Sequence, residues 1–268
     1  MSDHEIAEKC LDYIGKNQTP YFGENGELFR GIKESHGVLY ALAGFLAKTT
    51  HNSLSCLEIG SFAGASALTW AWCAETLFDR AGGVMCLDPW DEIKGNAMAP
   101  ENSQYTTAYL AQIYEIFLAN VKYAEFGPSI THHKTGIEEF QQNIPRQKFN
   151  VIYIDGDHAY ESVTRDILIA SEMLEQDGIL CGDDLSLQAD EVDVNALEEA
   201  INSKQQFAQD SKTGLNFHPG VTGAVWKTLG KVSKYGATWY MQKSHSNWKP
   251  IDLTGEAVKF PPHYPDIE

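Results

Sequence analysis

The sequence predicts an α/β fold, a doubly wound, mostly parallel sheet with helices on both faces. Three observations predict it. Short apolar runs alternate with amphipathic stretches between residues 54 and 184, the runs are rich in the Val, Ile and Tyr of buried strands, and several of them break into Gly- or Asp-bearing turns before the next helix. A ligand of such a sheet lies at the carboxyl ends of its strands.

The elements follow in order. Ile6, Cys10, Tyr13 and Ile14 have the spacing of one helix face and predict a helix over 3–14. A second helix over 36–48 follows Ser35 as a cap. Residues 54–59 read as a buried strand, 65–78 as a helix and 84–87 as a second strand ending at Asp88-Pro89. A long helix over 103–123 turns Leu110, Ile113, Phe117 and Val121 inward. Strand 130–134, helix 137–143 and strand 149–154 come next, then a helix over 160–174 with Val163, Ile167, Ala170 and Leu174 at helical spacing. A fifth strand, 178–181, ends at Asp183-Asp184, and 237–243 reads as a late edge or hairpin strand. The polar connection 185–217 is long, and predicts a helix over 194–203 plus a mobile lid over the site.

No segment repeats and no linker composition appears, so a single domain is expected: a helical cover over 1–50, a core over 51–243 and an irregular tail over 244–268 that holds four prolines. With 43% apolar residues the 268-residue chain has material for a sizeable core. Its formal net charge of −17 repels phosphate backbones and anionic lipid, which argues against nucleic-acid and membrane partners. There is no leader-like start and no run of apolar residues long enough to span a bilayer, and the five cysteines lack a C-x-x-C pair. A cytoplasmic protein without cysteine-bound zinc is expected.

The most informative segment is Leu57-Glu58-Ile59-Gly60-Ser61-Phe62-Ala63-Gly64-Ala65-Ser66, where a buried strand breaks into a glycine turn and opens a helix. Gly60 lets the backbone turn tightly and a ligand approach, and Gly64 lets the helix pack closely. The spacing departs from G-x-G-x-x-G, which disfavours a dinucleotide and with it an NAD(P)-dependent oxidoreductase; no G-K-[ST] follows, which removes a P-loop. The next strand ends Leu87-Asp88-Pro89-Trp90, with a carboxylate suited to both hydroxyls of a ribose.

This E-x-G-x-x-x-G pattern resembles the first motif of class I S-adenosyl-L-methionine-dependent methyltransferases. The resemblance implies a Rossmann-like fold with a seven-stranded sheet, and a cofactor site formed by Glu58, Gly60, Ser61, Phe62, Gly64, Ser66, Asp88, Trp90, Gly136 and Asp155. Within it Glu58 and the turn face the amino-acid half of the cofactor, Asp88 takes the ribose, Trp90 flanks the adenine, and the loop at Thr135-Gly136 lines the adenine.

Strand four ends Asp155-Gly156-Asp157-His158 and strand five ends Asp183-Asp184, so four carboxylates stand at strand ends. Two like charges 4 Å apart repel by about 4 kcal/mol at an effective dielectric of 20, a cost that a divalent cation removes. The bland alternative is helix and loop capping by Asp157, Asp183 and Asp184. All-oxygen ligands suit Mg²⁺, Mn²⁺ or Ca²⁺. The pattern resembles the metal-dependent O-methyltransferases of the catechol, caffeoyl-coenzyme A and antibiotic-sugar types. That resemblance implies Mg²⁺ on Asp155, Asp183 and Asp184, a small hydroxylated acceptor, a homodimer, and a general base at His158 or Asp157. The intrinsic pKa of imidazole, about 6.5, favours His158. A metal-independent methyltransferase is the alternative. His132 and His133 are read as structural, while Pro20-Tyr21-Phe22, His36, His218 and 185–217 are candidates for the acceptor pocket.

Overall fold

The structure is a computed structural model and describes residues 3–23, 33–49, 51–90 and 107–264. It is a mixed α/β fold with a mostly parallel sheet flanked by helices; the sheet has eight strands, one more than expected. The described residues fall into two compact units, one built from residues up to 90 with 107–136 and 253–264, the other from 137–252.

In the first unit the elements are α1 (Asp3–Asn17), α2 (Lys33–Ala47), β1 (Leu54–Ile59), α3 (Ala65–Leu77), β2 (Gly82–Leu87), α4 (Thr107–Tyr123) and β3 (Ile130–His133). Its strands pair in parallel, Leu54 opposite Gly82 through Ile59 opposite Leu87, and Val84 opposite Ile130 through Leu87 opposite His133. Helix α1 buries Ala7, Cys10 and Ile14, a single stripe, and packs on α4. Helix α3 is apolar nearly all round, with Leu68, Trp70, Ala71 and Cys73 buried, so it reads as a core helix. Helix α2 begins at Lys33, before the expected cap, and Ser35 and His36 lie buried inside it. Glu34 sits in its first turn, where the helix dipole favours an acid. The expected first turn of the long helix, 103–106, lies outside the described residues.

The second unit runs through α5 (Ile137–Asn143), β4 (Phe149–Ile154), α6 (Tyr160–Met173), β5 (Leu174–Gly182), α7 (Val194–Asn202), β6 (Ala208–Gln209), β7 (Asn216–Phe217), α8 (Pro219–Leu229), β8 (Ser233–Tyr235), β9 (Thr238–Ser244) and β10 (Asn247–Pro250). Strand β4 is parallel to β5; β9 is antiparallel to β5, β8 and β10. Strand β5 starts directly where α6 ends, four residues before the expected start. Its register jumps from Phe149 opposite Leu174 to Val151 opposite Ile179, so the polar Glu175-Gln176-Asp177 bulges out and hides the strand from a hydrophobic pattern. Part of the expected irregular tail, Asn247–Pro250, is the hairpin partner of β9.

The connection 185–217 is built, rather than left as a bare loop. Asp193 caps α7 by accepting the Asn195 and Ala196 N–H groups at 3.0 and 3.1 Å. Leu187, Ala189, Val192, Leu197 and Phe217 close a small core of their own beside the β6–β7 ribbon. The five cysteines are free and buried, as small hydrophobes. No described helix is long and apolar enough to cross a membrane.

Gly182, the last residue of β5, sits where a Cβ would meet Ile154 O at 2.5 Å and Trp239 Cζ2 at 2.6 Å. Gly182→Ala is therefore expected to lower the unfolding free energy by about 1–3 kcal/mol, read as a fall in the urea midpoint at unchanged slope.

Candidate functional site

The glycine turn is assembled by hydrogen bonds that run between strand ends. Gly60 (φ 87°) and Gly64 (φ 92°) both take the left-handed backbone, and Phe62 between them does so at φ 43°. The Gly60 N–H donates to Leu87 O at 2.8 Å and the Gly64 N–H to Ser61 O at 2.7 Å. At Gly64 a Cβ would meet Phe117 Cδ2 of α4 at 2.9 Å, so glycine is required there for packing as well as for conformation.

Asp88 closes the turn. Its Oδ2 accepts the Phe62 N–H at 2.9 Å and its Oδ1 the Trp90 N–H at 2.8 Å. Burial raises its carboxyl pKa, and these backbone amides offset part of that rise. A carboxylate has about four acceptor positions, so capacity remains for a ligand's hydroxyls. Trp90 is buried, donates its indole N–H to Phe62 O at 2.8 Å, and packs its ring 4.9 Å from Tyr114 and 4.7 Å from Phe117. The arrangement makes it a brace for the turn.

Sequence reasoning missed Asn120, whose amide serves both sides of this assembly. It is fully buried, donates to Ala63 O at 3.1 Å and accepts the Tyr21 N–H at 2.9 Å. A lone buried Asn on an apolar helix face was the available signal. Tyr21 thereby fixes the Pro20-Tyr21-Phe22 segment, and His36 is buried with its Nδ1 2.5 Å from Thr69 Oγ1. His132 pairs with the Tyr114 hydroxyl at 3.0 Å, in keeping with its structural reading, and Gly136 is exposed.

Glu58, on β1, is fully buried. Burial pushes its carboxyl up to about 7; the nearby Ser66 and Ser61 hydroxyls and the Cys86 thiol pull it back only in part, and the charge of Asp88 adds to the rise. Neither Glu58 Oε1 nor Ser61 Oγ has a well-formed hydrogen bond. Buried acceptors left open in this way suit a cationic donor, such as an ammonium group.

In the second unit, Asp155, Asp157, His158, Asp183 and Asp184 border one small hollow of about 10 Å³, walled by Val163, Val221 and Trp239. Each carboxylate is held differently. Tyr153 donates its hydroxyl to Asp155 at 3.5 Å, Thr238 donates to Asp183 at 3.2 Å, and Asp157 accepts the Ala159 N–H at 3.2 Å. Asp184, in the left-handed region at φ 65°, faces two imidazoles: His158 Nε2 lies 2.7 Å from its Oδ2 and His218 Nε2 3.7 Å from its Oδ1. The two rings are 4.3 Å apart.

The pKa directions follow from this geometry. Burial disfavours the charged form of His158, but the hydrogen bond and charge of Asp184, with Asp157 and Asp183, outweigh it and raise the imidazole. Burial likewise disfavours ionised Asp184, yet the bond to His158 holds its carboxyl below the ordinary range. Burial and the charge of His158 lower His218.

Asp155, Asp183 and Asp184, the set expected to hold Mg²⁺, all border the hollow. Among the described residues, the group of His, Cys, Asp and Glu whose ligand atoms all lie within 4.8 Å of one another is His158, Asp184 and His218. That set has two nitrogens and does not fit a hard ion that prefers oxygen. His218, named from sequence only as a pocket candidate, occupies the N-cap of α8, with Pro219 at the first helical position. The next residue, Gly220, has no room for a Cβ, which would meet His158 O at 2.1 Å. This close approach seats His218 against His158, and the His-Pro-Gly sequence was its only local signal.

For Glu58, a folded-state pKa above the unfolded value means that stability is complete below about pH 4.5 and is lost as pH rises through about 7. Relative to Glu58→Gln, the wild type is expected to lose roughly 3 kcal/mol across that window and nothing further above it, measured by denaturant unfolding at a series of pH values. A difference independent of pH would contradict the assignment.

Residues 57–185 match the family model described as a methyltransferase domain. No curated protein matches the chain. Among solved structures, the O-methyltransferase from Bacillus cereus in complex with SAH is 15% identical, with 89% of each chain covered and a TM-score of 0.48. A putative O-methyltransferase from Klebsiella pneumoniae is 13% identical, with 90% of each chain covered and a TM-score of 0.49. The O-methyltransferase TomG from Streptomyces achromogenes, involved in tomaymycin synthesis and in complex with SAM, gives the same identity of 13%, coverage of 90% of each chain and TM-score of 0.49. Residues 57–185, from β1 with its buried Glu58 through the Asp183-Asp184 pair, are thus the part of the chain that is similar to a methyltransferase domain.

Proposed function

We propose that the chain is an S-adenosyl-L-methionine-dependent O-methyltransferase that moves a methyl group to a hydroxyl of a small molecule. The observation that carries this reading is the buried Glu58 beside Asp88 on the glycine turn of the methyltransferase domain. Glu58 takes the ammonium group of the amino-acid half, and Asp88 spends its spare acceptor positions on the ribose hydroxyls. When bound, the cofactor supplies an electrophilic sulfonium methyl. The residues of this chain hold it at attack distance and prepare an oxygen nucleophile.

At the acceptor side, the sequence favoured His158 as base. Its Nε2 is already engaged by Asp184 at 2.7 Å, so this nitrogen holds a proton rather than awaiting one. We therefore assign proton acceptance to Asp157, which borders the same hollow. The His158–Asp184–His218 group then acts as the electrophilic partner that makes a hydroxyl acidic enough for so weak a base.

Calorimetry tests the cofactor reading. S-adenosyl-L-methionine is expected to bind, and binding at pH 7 to release up to about half a proton as Glu58 ionises, a buffer-dependent heat that fades by about pH 9. Asp88→Ala is expected to weaken binding at least tenfold, and absence of binding to the wild type refutes the reading. Asp157→Asn is expected to lower kcat by about 10²–10⁴-fold at unchanged cofactor affinity; a kcat within threefold of wild type refutes its role.

A further inference from the structure

The expected oxygen ligands and the group with metal-ligand spacing share only Asp184. We infer that His158, Asp184 and His218 form a binding site for one borderline divalent transition-metal ion, of the Mn²⁺-to-Zn²⁺ class, in place of an Mg²⁺ site on Asp155, Asp183 and Asp184. The inference deepens the methyltransferase reading and rests on it for its role, though the site itself stands on geometry.

Three observations carry it. First, the separations suit a shared ion. Metal–ligand bonds of about 2.0–2.1 Å place neighbouring ligand atoms about 3.0–3.4 Å apart; the Nε2–Oδ separations here, one to each oxygen of the Asp184 carboxylate, are 2.7 and 3.7 Å, on either side of that value. The ligand atoms of all three residues lie within 4.8 Å of one another, so rotation of the rings and the carboxylate brings them onto one centre. Second, His218 is only 7% exposed, and its Nε2 is aimed at Asp184 from 3.7 Å, too far for a hydrogen bond. A buried imidazole turned toward a carboxylate at the spacing of neighbouring ligands, beyond that of a hydrogen bond, suits an ion held at their side by both. Third, His158 and Asp184 border a hollow of about 10 Å³, the space of a single water or ion.

The donor types select the ion. Two imidazole nitrogens and one carboxylate oxygen suit Mn²⁺, Fe²⁺, Co²⁺, Ni²⁺ or Zn²⁺, whereas Mg²⁺ dehydrates reluctantly and prefers oxygen. Three protein ligands leave coordination positions for a hydroxyl oxygen of the acceptor. On binding, the ion displaces the Nε2 proton of His158, which makes this residue a ligand and leaves Asp157 as the proton acceptor.

The test uses metal-stripped full-length protein titrated with Co²⁺, whose visible absorption reports nitrogen ligation. The inference expects one Co²⁺ per chain, a visible band undiminished by millimolar Mg²⁺, and at least tenfold weaker binding in His218→Ala. It also expects Asp183→Asn to keep the band. No stoichiometric band, or equal affinity in wild type and His218→Ala, overturns it; so does loss of the band in Asp183→Asn with His218→Ala unaffected. S-adenosyl-L-methionine binding, measured by calorimetry on the same samples, shows that each variant is folded and separates the two claims. Cofactor binding without Co²⁺ binding sinks the metal site alone, and Co²⁺ binding without cofactor binding sinks the methyltransferase reading alone.

Discussion

A carboxylate at the end of a dry strand must be neutralised, solvated or protonated, and this constraint shapes both halves of the molecule. A polar group buried without a partner costs a few kcal/mol, and an unpaired charge costs more. The central strands are the driest, with every residue of β4 buried and Glu58 buried within β1. Glu58 interrupts one of them, partly buried acids stand at their ends, and neighbouring loop residues hydrogen-bond to those acids.

In the first unit the answer is backbone. Asp88 gathers the amides of Phe62 and Trp90, and so dictates the left-handed conformation of both residues. Trp90 returns the constraint by donating to Phe62 O, while Asn120 and Phe117 of α4 support the turn from the other side. A preorganised turn loses little entropy on binding a ligand. Glu58 is the term left unbalanced, held near neutrality by burial up to about 7. The unit thus stores an electrostatic demand that a cationic ligand meets.

In the second unit the answer is imidazole. Asp184 draws His158 and His218 to its two oxygens, and the tight seating of Gly220 on the His158 backbone makes that possible. Asp155 and Asp183 are instead approached by the hydroxyls of Tyr153 and Thr238. Four strand-end acids that look alike in the sequence therefore have separate surroundings, and only one belongs to the group with metal-ligand spacing.

Much of the fold was legible because its signals are local. Strand β1 and helix α5 fall where periodicity puts them, as does β4, since hydrophobic spacing and glycine turns act over a few residues. The legible part ended where pairing across distance decided the outcome. The polar bulge of β5 masks its first residues, β10 exists only because β9 is there to pair with it, and α2 starts before its expected cap. The candidate site divides in the same way. Gly60, Gly64 and Asp88 announced themselves at strand ends, whereas Asn120 and His218 carried little local signal, because their partners are 57 and 34 residues distant in Ala63 and Asp184.

By itself, then, the amino-acid order determined the α/β class, the turn at Gly60–Gly64, and which acids stand at strand ends, since each of these depends on neighbours within one turn or one strand. The tertiary structure decided which acid is neutralised by what. Hydrogen bonds and ion pairs need atoms within about 3 Å, and only folding brings Asp184 to two histidines or Asp88 to the amide of Phe62.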